Sequence, residues 1–143
     1  MNETLPDHIT DCIREYYKFP SDTADVDTLI NLRRKLAGLK FGLSVSVGVL
    51  YKQKNATEYA RKAEFYRTRQ RLISEGASAA KAESEAQAEI LALMDAEQQA
   101  DAEYRAAYLI LESAGGVLDT MNQHIANLRS EKRVETFGQG SQG

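Results

Sequence analysis

The sequence of 143 residues has no tryptophan, one cysteine and two prolines, and these scarcities exclude several kinds of protein. The single thiol, Cys12, cannot form an internal disulfide or a cysteine-based metal cluster. The prolines lie at positions 6 and 20, so no later proline interrupts a long helix. The longest weakly polar run, residues 41–51, is shorter than the roughly 20 apolar residues that span a bilayer, so we expect no membrane segment.

The start of the chain has neither the basic segment nor the apolar stretch of a secretion signal, so we expect a cytoplasmic protein. The formal net charge of −3 gives no general argument for nucleic-acid binding. With 43% hydrophobic and 27% charged residues, the composition is that of a single globular domain rather than of a disordered chain.

Helical periodicity dominates what is present. Apolar residues spaced by three and four predict a short amphipathic helix over residues 5–17. A second helical pattern runs from about residue 24 to 75, and its candidate N-caps are Ser21, Asp22 and Asp25. Gly76 suits the left-handed position after a helix end and Ser78 suits an N-cap, which predicts a turn near 76–78. A third pattern then extends from residue 79 to about 133.

These patterns divide the chain into three parts. Residues 1–20 form an N-terminal amphipathic helix, residues 21–136 form a long helical hairpin, and residues 137–143 form a glycine-rich tail that we expect to be disordered.

A seven-residue apolar repeat carries the fold prediction. If the chain folds back at residue 77, opposed residues have numbers that add to 154, and eight repeat positions then fall into register. The first arm contributes Leu29, Leu36, Leu43 and Leu50, which oppose Ile125, Leu118, Leu111 and Tyr104. Intermediate positions complete the seam, namely Leu32, Leu39, Ala114, Met121 and Leu128. Such a repeat is typical of a coiled coil. The predicted fold is therefore all-α, a long antiparallel hairpin with a short N-terminal helix, and self-association into a homo-oligomer would cover its remaining apolar surface.

Residues 41–49 carry a competing pattern, because apolar and small residues alternate there as in a β-strand. We favour helix because the repeat runs straight through, and strand remains the alternative. Glycines are also frequent at this level. Gly38 and Gly42 lie opposite Gly115 and Gly116, which predicts a close crossing of the two arms, with a hinge or small pocket as the alternative.

Charge is segregated between the two arms. Residues 51–71 are strongly basic, whereas acidic residues dominate 83–112. The basic arm carries Lys52, Lys54, Arg61, Lys62, Arg67, Arg69 and Arg71. The first interpretation is ion pairing between the arms. The alternative is binding of single-stranded nucleic acid, in which Tyr59 and Tyr66 stack on bases while the cations contact phosphates.

Catalytic motifs are missing. His8 and His124 lie far apart and neither belongs to a Glu-x-x-His pattern, so we predict no metal, no cofactor and no enzymatic activity.

Four segments carry a resemblance to a known group of proteins. They are Leu-Arg-Arg-Lys-Leu-Ala (32–37), Tyr-Lys-Gln-Lys-Asn with Glu-Tyr-Ala-Arg-Lys (51–55 and 58–62), Gly-Ala-Ser-Ala-Ala-Lys-Ala-Glu (76–83) and Tyr-Arg-Ala-Ala-Tyr-Leu-Ile-Leu-Glu (104–112). From residue 32 to about 132 the chain resembles small phage and prophage proteins associated with early genes for recombination and replication. The resemblance implies an accessory factor in nucleic-acid metabolism or against a host system, and it transfers no functional residues. We therefore expect an interaction protein with a protein partner of unknown identity.

Overall fold

The computed structural model describes residues 2–19 and 25–140, with side chains as far as residue 134. Within these ranges the chain is helical and contains no strand, which confirms the all-α prediction. The four helices are α1 (Leu5–Tyr17), α2 (Val26–Ser74), α3 (Ala79–Glu89) and α4 (Leu91–Gly140). Residues 41–49 are helical, so the strand alternative is wrong, and α2 continues without interruption through Asn55.

Helix α1 begins with a capping box. The backbone N–H of Asp7 donates to the Thr4 hydroxyl at 3.4 Å, and the backbone N–H of Thr4 donates to the Asp7 carboxylate at 2.9 Å. These reciprocal bonds satisfy two backbone donors at the start of the helix. They also hold the pKa of Asp7 below its usual range. The helix then places Ile9, Cys12 and Tyr16 on one buried stripe.

Helix α2 begins after Asp25, whose carboxylate accepts the backbone N–H of Asp27 at 3.1 Å and the hydroxyl of Thr28 at 3.2 Å. The other two cap candidates, Ser21 and Asp22, lie outside the described residues. The Asp25 carboxylate thus satisfies a backbone donor in the first turn of the 49-residue helix, and this cap sets where the helix begins.

The turn after α2 is built around Gly76, which has a φ of +96°. The backbone N–H of Ala77 donates to Leu72 at 3.0 Å, and that of Gly76 donates to Ile73 at 3.1 Å. This pair of bonds is a Schellman motif and requires the left-handed conformation that glycine adopts without strain. Ser78 then caps α3 by accepting the backbone N–H of Lys81 at 3.3 Å.

The third predicted helix is interrupted once, which corrects the prediction of continuity. Ile90 has φ −93° and ψ 6° and separates α3 from α4. Its N–H still donates to Ala86, and its carbonyl accepts from Met94, so the interruption is one residue wide. Neither glycine nor proline lies there. Ile90 is buried and lies in the same helical row as the buried Ala82 and Ala86, so the irregular residue belongs to the interior of unit 2.

The tail expected to be disordered also differs from the prediction in part. Helix α4 has helical backbone to Gly140, so residues 137–140 continue the helix, because extending an existing helix costs far less than starting one. Residues 141–143 lie outside the described part of the chain.

The chain divides into two compact units. Unit 1 comprises the described residues up to Val45 and from Tyr108 onward, and unit 2 comprises Ser46–Ala107. In unit 1, α1 and parts of α2 and α4 each contribute an apolar stripe to a common set of buried residues. They are Ile9, Cys12, Tyr16, Leu29, Leu32, Leu36, Leu43, Ala114, Val117, Met121 and Ile125.

Unit 2 has a different interior. Its buried residues come from the second half of α2, from α3 and from the first part of α4. They are Val47, Thr68, Ala82, Ala86, Ile90 and Ala107. Half of them are alanines, so unit 2 buries much less apolar side chain than unit 1 does.

Candidate interaction surfaces

The structure places the predicted repeat residues at different depths. Leu29, Leu36, Leu43 and Ile125 are buried, whereas Leu50, Tyr104, Leu111 and Leu118 are half-buried. On the part of α4 in unit 1, the fully buried residues are Ile125 from the repeat and Ala114 and Met121 from the intermediate seam positions. On α4 the intermediate seam positions Ala114 and Met121 are therefore buried more deeply than the repeat positions Leu111 and Leu118.

Contacts in each unit join progressively later residues of α2 to progressively earlier residues of α3 and α4. In unit 1, Arg33 donates to the Asn122 amide oxygen at 3.0 Å, and the Lys40 side chain reaches Gly115. In unit 2, Lys54 pairs with Asp101 at 3.3 Å, one residue from the predicted register. Nearer the turn the contacts drift further from it, since Arg61 pairs with Glu97 and Arg71 with Glu89. Within each unit, α2 thus runs antiparallel to the parts of α3 and α4 that it contacts.

The glycines do not form the predicted close crossing. A Cβ added to Gly38 or Gly116 would meet no atom of the chain within 4 Å. At Gly115 the nearest atom would be the flexible end of Lys40 at 3.5 Å, and at Gly42 it would be the Leu5 side chain at 3.5 Å. The expectation fails because it assumed that both pairs of glycines face the opposing helix, whereas Gly38 and Gly116 are exposed.

Most cations of the basic arm are paired with carboxylates. Lys54, Arg61 and Arg71 pair with acids of α3 or α4, as expected for pairing between the arms. Two further pairs form within α2, Lys62 with Glu58 at 2.7 Å and Arg67 with Glu64 at 2.9 Å.

Two cations of the arm differ from the others. Lys52 is exposed and makes no ion pair with any residue of the described ranges. Arg69 is half-buried, and its Nε is enclosed without a hydrogen-bond partner among the described residues.

The pairing perturbs two carboxyl groups. Burial opposes ionisation of Asp101, but hydrogen bonds from Lys54 and Arg105 outweigh it and hold its pKa below the usual range. The hydrogen bond from Lys62 lowers the pKa of Glu58. Both acids are therefore committed to neighbouring cations, which reduces the charge that this part of the basic arm offers to another molecule.

One face of α2 in unit 2 is exposed and carries aromatic residues. Tyr59, Tyr66 and Ile73 are 77%, 60% and 44% exposed, and their seven-residue spacing places them in one row along the helix. Lys62 lies in the same row between the two tyrosines. We call Tyr59, Lys62, Tyr66 and Ile73 the tyrosine face. Thr68, which is buried, lies on the other side of the helix.

A groove in unit 1 was not predicted from the sequence. It lies between the C-terminal end of α1 and α4, has a volume of about 740 Å³, and is called here the α1–α4 groove. Its lining includes Tyr16, Tyr17, Phe19, Asp119, His124 and Glu131.

The aromatic end of the groove is ordered by ring contacts. The Tyr16 hydroxyl lies 3.3 Å from His124 Nδ1, and the Tyr16 ring packs edge-on against Tyr17 at a centroid distance of 5.3 Å. Burial raises the pKa of Tyr16. Tyr16 and His124 are 108 residues apart in sequence, so no local pattern could have paired them.

Among the described residues, no group of three or more His, Cys, Asp or Glu side chains is placed to hold a metal ion. Cys12 is buried in unit 1, and that burial raises the pKa of its thiol. No described helix is both long and apolar enough to cross a membrane.

No family model, curated protein or solved structure gives a match to this chain. The surfaces described above must therefore be interpreted from their own chemistry.

Proposed function

We propose that the chain is a non-enzymatic, helical interaction protein that acts through helix-to-helix contacts. The observation that carries the proposal is the imbalance of unit 2. It buries only two large apolar side chains, Val47 and Ile90. It exposes six large apolar or aromatic side chains, namely Val49, Tyr51, Tyr59, Tyr66, Ile73 and Leu91. Extensive exposed apolar surface marks a site of association, because leaving it in water forfeits the free energy of burial.

The proposal includes a single long antiparallel hairpin formed by α2 with α3 and α4. It is supported by the Schellman turn at Gly76 and by antiparallel contacts within each unit, Arg33 to Asn122 in unit 1 and Lys54 to Asp101 in unit 2. In a hairpin of this kind each arm buries only the face that contacts the other arm, so the outer faces of both arms remain available for a partner.

The tyrosine face is the proposed contact surface, and a second copy of the chain is the first partner to test. Its seven-residue row is the spacing at which helices pack side by side in coiled coils. Tyrosine is also enriched at protein interfaces, because it buries a large ring and keeps a polar hydroxyl. The resemblance to early phage proteins makes components of recombination, replication or a host system the next partners to test.

Light scattering across a range of protein concentrations tests the self-association. We expect the wild-type chain to have a mass that is a multiple of the monomer mass, and the variant Tyr59→Ser/Tyr66→Ser to be a monomer of unchanged helicity. The matched control is Phe41→Ser, which removes a large exposed ring from the same helix in unit 1. A monomeric wild-type chain at every concentration would overturn the homo-oligomer. Dissociation by the control alone would overturn the assignment to the tyrosine face.

A second candidate function is binding of single-stranded nucleic acid through the same arm. The exposure of Tyr59 and Tyr66 on one face, with Lys62 between them, favours it, because bases stack on exposed rings while a cation contacts phosphate. Five of the seven cations already pair with carboxylates, which argues against nucleic-acid binding by this arm.

Fluorescence anisotropy with a labelled single-stranded oligonucleotide tests this second candidate at low and at physiological salt. Lys52→Gln/Lys62→Gln is the informative variant, since Lys52 is exposed without an ion pair among the described residues and Lys62 lies between the two exposed tyrosines. Losing two phosphate contacts should lower the slope of log affinity against log salt by about 0.7 per cation. The control, Lys35→Gln/Lys81→Gln, removes the same charge elsewhere. Absence of binding at low salt, or an unchanged slope in the first variant, would contradict nucleic-acid binding by this arm.

A further inference from the structure

We infer that the tyrosine face of one copy of the chain packs against the exposed side of α4 in unit 2 of a second copy. This side of α4 is called here the Leu91 row and consists of Leu91, Asp95, Gln98 and Ala102. The inference rests on the proposed self-association, and it specifies which surface of the second copy meets the tyrosine face.

The Leu91 row carries an apolar and an acidic side chain in adjacent helical turns. Successive spacings of four, three and four residues place its members on one side of α4, and all of them are exposed. Leu91 is 59% exposed, and Asp95 forms no ion pair with any residue of the described ranges. Unit 2 therefore leaves a large apolar side chain and a carboxylate available on the same side of one helix.

The spacings of the two surfaces agree when the helices run antiparallel. Backwards along the tyrosine face, Tyr66 is followed by Lys62 after four residues and by Tyr59 after three more. Forwards along the Leu91 row, the same steps lead from the leucine to the carboxylate and then to the amide. One antiparallel register of the kind that helices adopt in coiled coils therefore brings three pairs together, namely Tyr66 with Leu91, Lys62 with Asp95, and Tyr59 with Gln98.

The groups in each pair are chemically complementary. Tyr66 and Leu91 bury apolar surface that unit 2 leaves in water. Lys62 meets a free carboxylate. It already pairs with a carboxylate of its own helix, but an ammonium group has three N–H donors and can donate to both. The Gln98 amide can form a hydrogen bond with the Tyr59 hydroxyl.

Packing of the tyrosine face on itself would satisfy fewer of these groups. The part of α2 in unit 2 contains two carboxylates, Glu58 and Glu64, and both pair with cations of the same helix. A second tyrosine face therefore offers Lys62 no free carboxylate, and it also leaves Leu91 in water. Charge complementarity and apolar burial both favour the Leu91 row.

Two variants that each retain one of the surfaces test the contact. Tyr59→Ser/Tyr66→Ser retains the Leu91 row, and Leu91→Ser/Asp95→Lys retains the tyrosine face. Because the two surfaces are different, each copy offers one of each, and the contact can repeat from copy to copy or close into a ring. In light scattering at concentrations where the wild-type chain is associated, we expect each variant alone to be a monomer. Their equimolar mixture should form heterodimers and nothing larger.

An exchange of charge tests the pair at the centre of the contact. Lys62→Glu and Asp95→Lys should each weaken association by at least about tenfold, because each sets two like charges against each other. Lys62→Glu/Asp95→Lys should restore the dissociation constant to within about threefold of the wild-type value. The control Asp119→Lys makes the same charge reversal at an exposed position of α4 in unit 1 and should have no effect. Circular dichroism verifies that every variant keeps its helicity.

The outcomes separate this inference from the proposed function. If Leu91→Ser/Asp95→Lys associates alone as strongly as the wild-type chain while Tyr59→Ser/Tyr66→Ser does not, the tyrosine face packs on itself, and only the present inference is overturned. A mixture that forms no heterodimer, or a charge exchange that does not restore association, would also overturn it. A monomeric wild-type chain would overturn both the self-association and the present inference.

Discussion

Replacing Gly38 or Gly116 by alanine should stabilise this protein, and replacing Gly76 should do the reverse. The first two glycines lie inside helices, and an added Cβ would meet no atom within 4 Å. Gly76 also has open space around it, but its φ of +96° is a conformation that alanine adopts only with strain. The sign of the effect is therefore decided by backbone conformation and not by space.

The magnitudes follow from the cost of glycine in each setting. In a helix interior glycine is about 0.8–1.0 kcal/mol less favourable than alanine, so Gly38→Ala and Gly116→Ala should each gain nearly that amount. At the left-handed position of the turn, Gly76→Ala should cost about 1–2 kcal/mol. For a chain of this size each kcal/mol corresponds to a change in melting temperature of about 3–4 °C.

Urea unfolding followed by circular dichroism measures all three variants, and an unchanged slope would show that the unfolding transition remains comparable. Ala126→Gly, at an exposed helical position, calibrates the scale and should lose about 1 kcal/mol. A loss of stability in Gly38→Ala or Gly116→Ala would mean that a neighbour lies close to that Cα, and the reasoning would be refuted.

Four further predictions test the interior, the cap of α1 and the ion pairs. Leu36→Ala should cost about 2–5 kcal/mol by urea unfolding, because Leu36 is 0% exposed in unit 1 and its loss leaves a cavity. Thr4→Ala should cost about 1 kcal/mol by removing the cap of α1. The pKa of Asp7 is lowered in the folded chain, so the ionised carboxylate stabilises the fold. This stabilisation should be complete above the pKa of an unfolded Asp and lost as the pH falls through the folded pKa. In unfolding curves measured over a pH series, Asp7→Asn should remove this dependence. Arg61→Glu should destabilise the chain by setting a carboxylate against Glu97, and Arg61→Glu/Glu97→Arg should restore stability; failure of the exchange to do so would place the effect elsewhere.

Local features of the fold were readable from the sequence because each depends on a few neighbouring residues. The apolar spacing over 5–17 coincides with α1, and the residue types at Gly76 and Ser78 suit the turn that they occupy. The interruption at Ile90 was not readable, since no breaker residue marks it and the burial that accompanies it involves the packing of several elements.

The candidate surfaces were readable only in part. Composition predicted the basic arm with its tyrosines, but which cations remain unpaired depends on residues of other helices, as Arg61 and Glu97 illustrate. The seven-residue repeat located the buried side of α4 but not the depth of each position on it, since Met121 at an intermediate seam position is buried more deeply than Leu118 in the repeat. The groove at Tyr16 and His124 depends on a contact between distant parts of the chain, for which a single sequence offers no pattern.

The division into units bears on the order of folding. Unit 2 consists of one continuous stretch, Ser46–Ala107, whose two sides are joined by the turn at Gly76, whereas unit 1 combines described residues from two separate stretches, before Ser46 and after Ala107. If unit 1 formed first, residues 46–107 would have to be closed as an unstructured loop, at a cost in loop entropy. If unit 2 is already folded, that entropy has already been lost and unit 1 closes at a lower cost. Unit 2 should therefore form early and unit 1 late. Gly76→Ala should then slow refolding of the whole chain, while Leu36→Ala should mainly speed its unfolding.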